Sequence, residues 1–192
     1  MTTEESDFAG RPIEDADEFV GVRDGFERLW TPHRMAYIKG DRPSDEAGDG
    51  CPFCVAPQKS DADGLIVHRG EHCYVVMNAF PYNAGHLLVC PYRHISGYIE
   101  MTDEETLEFS ALTKAAIRTL AATSRPHGYN IGMNQGSVAG AGVAAHLHQH
   151  VIPRWSGDTN FLPLVAQTKA IPVLIEDVRA ALAQAWPGSD QA

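Results

Sequence analysis

His146, His148 and His150 alternate through an apolar run that ends at Pro153-Arg154. Side chains on an extended chain repeat every two residues, so a β-strand through 146–154 aims all three imidazoles to one side. Groups that take up or release a proton near neutral pH, lined up on one rigid ladder, suit either a metal ion or an anion such as phosphate. A purely packed role is a poor alternative. Burying three neighbouring rings costs about 1–3 kcal/mol for each donor or acceptor left unsatisfied.

Two other stretches carry chemistry. Asn134-Gln135-Gly136-Ser137-Val138-Ala139-Gly140-Ala141-Gly142 precedes the histidines directly, and its glycines let successive backbone N–H groups converge on a ligand. Such a loop suits phosphate oxygens, although it lacks the Lys-Ser/Thr ending of a P-loop. Cys51-Pro52-Phe53-Cys54 is a single Cys-x-x-Cys pair, whereas a structural zinc site closes with four ligands. Its rival readings are a redox pair, which lacks the matching βαβ context, and two loop thiols. Cys73 and Cys90 fall on expected strands as small buried hydrophobes. His33, His68, His72 and His127 sit near turns or polar neighbours and carry no assigned role, and Arg154 and Trp155 either border the site or pack its rim.

The elements that position these residues follow from periodicity. Two β-rich runs, Leu65 to Met77 and Leu87 to Cys90, flank the turn-forming Asn78-Ala79-Phe80-Pro81-Tyr82-Asn83-Ala84-Gly85. Thr102 and Glu105 make a capping box for a helix with the stripe Phe109, Leu112, Ala116 and Leu120, ending near Ser124 ahead of Arg125-Pro126. The acidic run Asp103-Glu104-Glu105 suits the start of that helix. Tyr129 to Met133 reads as a strand, paired across the glycine loop with the histidine strand. Pro172 opens a last helix of about four turns, with Leu174, Val178, Ala181, Leu182 and Ala185 on one face and Pro187 as its stop. The pattern is α+β with an antiparallel sheet.

Composition narrows the partners. The 192 residues are 44% hydrophobic and 21% charged, as in an ordinary globular protein, and one domain is expected over residues 19–186. Residues 1–18 read as an acidic tail, 187–192 as a second tail, Lys39 to Gly50 as a surface loop, and Phe26 to Ile38 as a segment that docks on the main body. A formal charge of −10 argues against a nucleic-acid polymer as partner. No apolar run approaches a membrane span, and the acidic N-terminus does not read as a secretory signal, so a cytoplasmic location is expected.

Together the motifs resemble the histidine triad (HIT) family, whose signature is His-φ-His-φ-His-φ-φ with φ apolar, preceded by an Asn/Gln-Gly loop. Gln149 departs from it by occupying an apolar slot, and Gly142 stands where relatives often carry a hydroxyl or amide that touches the phosphate. Asn78, Gly85-His86 and Leu87 to Pro91 resemble the segment that holds the ribose and a further histidine in the Fhit-like branch. The resemblance covers roughly Cys51 to Trp155 and implies a HIT-like fold. It implies His148 as nucleophile, with a covalent nucleotidyl-histidine intermediate. It also implies His150 at the α-phosphate, His86 completing the polar wall, and Asn78, Gly136, Gly142 and either Asn134 or Gln135 around the substrate. In zinc-bearing members of the superfamily a histidine after the second strand and the first triad histidine join the cysteines, which implies a structural Zn2+ on Cys51, Cys54, His94 and His146. No organic cofactor is implied, and a homodimer is.

Within the family, Leu29 to Tyr37 and the C-terminal stretch Phe161 to Trp186 resemble actinobacterial diadenosine tetraphosphate phosphorylases. That implies an adenylyl-His148 resolved by orthophosphate. Resolution by water would make the protein a hydrolase, and a Hint-like reading would change the substrate to nucleoside phosphoramidates. Two non-enzymatic readings stand beside these: a metal-binding triad face, and a nucleotide sensor without turnover.

Overall fold

The computed structural model describes residues 50–136, 138–158 and 173–188. The acidic tail 1–18, the docking segment 26–38, most of the Lys39 to Gly50 loop, Ser137, Pro172 and residues 189–192 lie outside the described residues. So do the Leu29 to Tyr37 stretch and residues 161–172 of the Phe161 to Trp186 stretch.

A short helix α1 (Pro52–Val55) carries the cysteine pair, followed by strands β1 (Ile66–Arg69), β2 (Cys73–Met77) and β3 (Leu87–Pro91). The long helix α2 (Asp103–Ser124), strands β4 (Gly128–Gly132) and β5 (Gln149–Arg154), and helix α3 (Ile175–Gln184) complete the order. The strands form one sheet in the order β1-β2-β3-β5-β4, with every neighbouring pair antiparallel.

Alternation along the strands gives the sheet two different faces. Val67, Cys73, Val75, Met77, Leu87, Val89 and Val151 form one core with Phe109, Leu112, Ala116 and Leu120 of α2 and with Leu182 and Trp186. Each fully buried Leu or Phe in such a layer contributes about 1.5–3 kcal/mol. Ile66, Tyr74, Val76, Leu88 and Cys90 line the other face, against Phe53 and Ala56 of the cysteine segment. In the β3–β5 register Leu88 opposes His150 and Val89 opposes Gln149. His150 therefore shares the face of the cysteine segment, while Gln149 points towards α2, where its amide donates to Thr113 Oγ1 at 2.7 Å. A satisfied hydrogen bond explains the amide in that otherwise apolar slot.

Helix α2 follows its expected capping: Glu105 N–H donates to Thr102 Oγ1 at 3.2 Å, and Thr102 N–H donates to Glu105 Oε2 at 2.8 Å. It stops at Arg125, which is left-handed (φ 46°) immediately before Pro126. Strands β4 and β5 pair across the glycine loop as expected.

Three boundaries differ from expectation. The regular strand begins at Gln149, not His146, because the chain leaves the β3 ladder there: Leu147 N–H donates to Ile95 O, and His146 Nε2 reaches Pro91 O. The run Leu65 to Met77 is not one strand but a hairpin, closed by Gly70 N–H donating to Cys73 O at 2.9 Å. The described C-terminal helix starts at Ile175 and spans 10 residues, shorter than four turns.

The β1–β2 turn is tied to α2 by one carboxylate. Glu108 accepts from the backbone N–H groups of Glu71 (2.8 Å), His72 (2.6 Å) and Cys73 (2.8 Å). A Cβ at Gly70 would lie 2.4 Å from Glu108 Oε1, so the turn needs glycine at this close approach. Partial burial pushes the Glu108 carboxyl up, but the three N–H donors outweigh it and hold the group below its ordinary value. A carboxyl depressed in the folded state stabilises fully above its unfolded pKa, about 4.3, and loses that contribution as pH falls through the lower folded value. Glu108→Ala should cost roughly 1–3 kcal/mol in urea unfolding near neutral pH, and the gap to wild type should narrow below about pH 4. An unchanged gap across that range would contradict this account of the turn.

Candidate active site and metal cluster

His86 directly precedes β3, His150 lies on β5, and His148 sits one residue before β5 begins. The hydrogen-bond network assigns a tautomer to each ring. His148 Nδ1 lies 2.8 Å from the backbone carbonyl of His146, so it carries the proton and leaves the lone pair on Nε2. The backbone N–H of Tyr82 donates to His86 Nδ1 at 3.0 Å, which places the His86 proton on Nε2. That Nε2 lies 2.8 Å from His150 Nδ1, which must accept, and the His150 proton is therefore on its Nε2. Two neighbouring imidazoles thus present opposite chemistry: a lone pair on His148 and a donor on His150.

Burial favours the neutral form of His148. Desolvation pulls its pKa below the ordinary histidine value, against the opposing pull of the His146 carbonyl. A neutral imidazole with an aimed lone pair can act as a nucleophile. His148 and His150 lie with ring centroids 5.1 Å apart at 70°. The ring of Tyr82 stacks on His150 at 5.9 Å and 18°.

His146 is drawn elsewhere. Its Nδ1 lies 3.4 Å from Cys51 Sγ and 3.6 Å from Cys54 Sγ, and Cys54 Sγ lies 3.3 Å from His94 Nδ1. The four ligand atoms fall within 4.8 Å of one another, and among the described residues this is the one group of its kind. Zn–S bonds of about 2.3 Å and Zn–N bonds of about 2.0–2.1 Å require ligand atoms about this close in a tetrahedron. The donor chemistry fits as well. His146 Nε2 donates to Pro91 O at 3.0 Å, so Nδ1 faces the thiols as a lone pair, held by a backbone carbonyl as a metal-ligating histidine usually is. Burial holds His146 neutral, its pKa pulled down to about 4, and raises the Cys51 thiol. A bound cation would reverse the shift on the thiol.

Of the remaining expected substrate residues, Asn78 is joined to a site histidine by a hydrogen bond, whereas Gln135 bonds to the Tyr98 backbone. Asn78 Oδ1 accepts from Phe80 N–H at 2.9 Å, and its Nδ2 lies 3.3 Å from His86 Nδ1. Gln135 Oε1 accepts from Tyr98 N–H at 2.8 Å, which leaves its NH2 end as the donor. Asn134 and Gly142 are half-buried, and Gly136 is exposed with φ +83° and open space around it. Cys73 and Cys90 are buried, with the Cys73 thiol pushed up to about 12 by burial and nearby carboxylates.

Two features escape a reading of the sequence. Asp158 binds Arg154 Nε at 2.6 Å and Asn83 Nδ2 at 2.7 Å, tying the β2–β3 loop to the end of β5. Arg154 thereby serves the scaffold. Phe53, between the two cysteines, packs on His148 with centroids 4.8 Å apart and on His146 at 5.5 Å. No spacing rule links residue 53 to residue 148, and the sequence carries no signal for the contact.

Similarity to known proteins agrees with this geometry. Residues 59–157 match the HIT domain. The AP-4-A phosphorylase of Mycobacterium tuberculosis is 48% identical over 175 residues, covering 88% of this chain and 89% of that one. A hypothetical histidine triad nucleotide-binding protein from Sulfolobus tokodaii superposes with a TM-score of 0.57 at 25% identity, over 70% of this chain and 91% of its own. A zinc-bound histidine triad family protein from Mycobacterium smegmatis gives 0.54 at 26% identity, over 70% and 94%. With a HIT-domain match over half its length, a relative 48% identical and alternating histidines that lead into a strand of an antiparallel sheet, the chain belongs to the HIT family.

Proposed function

We propose that this protein splits dinucleoside polyphosphates of the diadenosine tetraphosphate type by phosphorolysis. The observation that carries the reading is the opposite polarity of His148 and His150. The name of its Mycobacterium tuberculosis relative supplies the substrate class. The lone pair on His148 Nε2 attacks an α-phosphorus, a P–N bond forms, and the P–O bond to the leaving ATP breaks with its electron pair. His148 keeps its Nδ1 proton throughout. The positive charge that develops on the ring strengthens the bond from Nδ1–H to the His146 carbonyl. His150 Nε2–H donates to a non-bridging oxygen, and His86 acts through His150 by fixing its tautomer. Orthophosphate then attacks the same phosphorus, the P–N bond breaks, ADP leaves, and His148 returns to neutral. Asn78 would hold the ribose, with Asn134 or the Gln135 amide, Gly136 and Gly142 at the phosphates.

The same reading places a structural Zn2+ on Cys51, Cys54, His94 and His146. When bound, it supplies no chemistry to the reaction and clamps the cysteine segment to the base of the histidine run. The zinc-bound neighbour and the soft S2N2 donor set support this choice of metal. A homodimer also belongs to the reading. Strand β4 pairs on one side with β5 among the described residues, and Ile131 on it is 47% exposed. Light scattering should show a dimer, and a monomer would count against it.

Incubation with diadenosine tetraphosphate should yield ATP and ADP only when orthophosphate is present. AMP formed without phosphate would replace the phosphorylase with a hydrolase. His148→Ala should lower turnover by roughly a thousandfold or more while keeping the wild-type melting temperature, and wild-type activity in that variant would defeat the mechanism. Metal analysis should find zinc in wild type and in His148→Ala but little in Cys51→Ala or His94→Ala. Zinc that survives Cys51→Ala yet vanishes with His148→Ala would move the metal onto the triad and remove the nucleophile.

A further inference from the structure

We propose that Tyr82 is a positioning residue for His150: its backbone amide fixes which nitrogen of His150 carries the proton, and its ring fixes the plane in which that proton points. The inference rests on the reading of His150 as the phosphate donor given above. If His150 instead donated from Nδ1, His86 would have to accept at Nε2 and carry its own proton on Nδ1. The Tyr82 N–H already donates to that Nδ1 at 3.0 Å, so two hydrogens would meet there and the inverted arrangement is closed.

The bond from His86 at 2.8 Å holds one atom of His150 but leaves the imidazole free to tilt about that contact. The side chain of the same tyrosine removes this freedom. Its ring lies nearly parallel to His150, with centroids 5.9 Å apart at 18°, and 4.8 Å from the ring of His86 at 41°. One aromatic ring thus packs on both imidazoles and keeps water from the bond between them on that side, which strengthens it. Tyr82 is held for this task by its loop. Pro81 fixes the backbone φ just before it. Asn83, just after it, is buried, and its Nδ2 donates to Pro153 O at 3.0 Å and to Asp158 Oδ2 at 2.7 Å. The loop closes on itself where Asn78 N–H donates to His86 O at 2.9 Å and His86 N–H to Asn83 O at 3.1 Å. The ring is 47% exposed, so these anchors, and not its own burial, set where it stands.

The test uses the full-length, zinc-loaded protein with diadenosine tetraphosphate and orthophosphate, comparing Tyr82→Ala, Tyr82→Leu and Tyr82→Phe. It also reads the imidazole nitrogen signals of His150 by NMR, assigned with His150→Ala. Removing a donor aimed at developing charge costs about a hundred- to a thousandfold in kcat, and a donor that is retained but misaimed costs less. Tyr82→Leu should thus lower kcat by about ten- to a hundredfold with KM within about twofold and zinc content unchanged. The His150 nitrogen signals should move from the pattern of one fixed tautomer towards an average. Tyr82→Ala should shift in the same direction, and the leucine variant carries the test if the alanine variant does not fold. Tyr82→Phe keeps the ring and should retain wild-type kcat and signals. A rise in KM with kcat retained would make the ring a wall of the substrate pocket and overturn the proposal. Unchanged nitrogen signals in the leucine variant would overturn it too, as would a loss of kcat in Tyr82→Phe, which would give the role to the hydroxyl. Absence of turnover in wild type would remove the proposed reaction alone, and the nitrogen signals would then decide the role of Tyr82 by themselves.

Discussion

The carbonyl of His146 accepts the Nδ1 proton of His148 at 2.8 Å, and the arrangement of the site depends on where that carbonyl is held. His146 is fixed at three points: Nε2 on Pro91 O, Nδ1 among the thiols of Cys51 and Cys54, and the following amide on Ile95 O. Each tie pulls the chain out of the β3 ladder just before β5 becomes regular. The departure from strand geometry is what gives the three alternating histidines three different surroundings. A longer regular ladder would have left them equivalent.

The sheet supplies the second half of the device. Antiparallel register sets His150 across from Leu88, on the face away from α2, and the residue before β3 brings His86 to it. Proton positions then pass along a chain that begins at the backbone amide of Tyr82 and ends at His150 Nε2. Backbone groups anchor both tautomers, the amide for one and the carbonyl for the other. Such anchors cost little reorganisation as charge develops, which is how a preorganised site gains over water.

Much of this was legible in advance, for reasons specific to each element. The α2 capping box and apolar stripe are local patterns with one helical interpretation, and both appear as read. Pairing of β4 with β5 across the glycine loop was the simplest arrangement of two consecutive strands, and it forms even though residues 133–148 separate them. The boundaries that moved are those where a distant group intervenes. Glu108, from α2, gathers three amides of the β1–β2 turn and splits one apparent strand into a hairpin. Pro91 and Ile95 delay the start of β5. Gln149, an exception to the apolar pattern, is accounted for by Thr113 on the helix it faces.

The amino-acid sequence by itself determined which side chains were available and on which face: alternation set the histidines together, and the cysteine pair with a histidine family pattern named the four residues that now converge within 4.8 Å. Tertiary structure alone decided the division of labour among them. A tautomer is selected by the partner of the other ring nitrogen, and two of those partners, the Pro91 carbonyl for His146 and the His86 ring for His150, come from other segments of the chain. Phe53 reaches His148 across 95 residues of chain for the same reason Cys51 reaches His146. Spacing encodes periodic contacts within one element, whereas contacts between elements exist only once the sheet and the cysteine segment have packed.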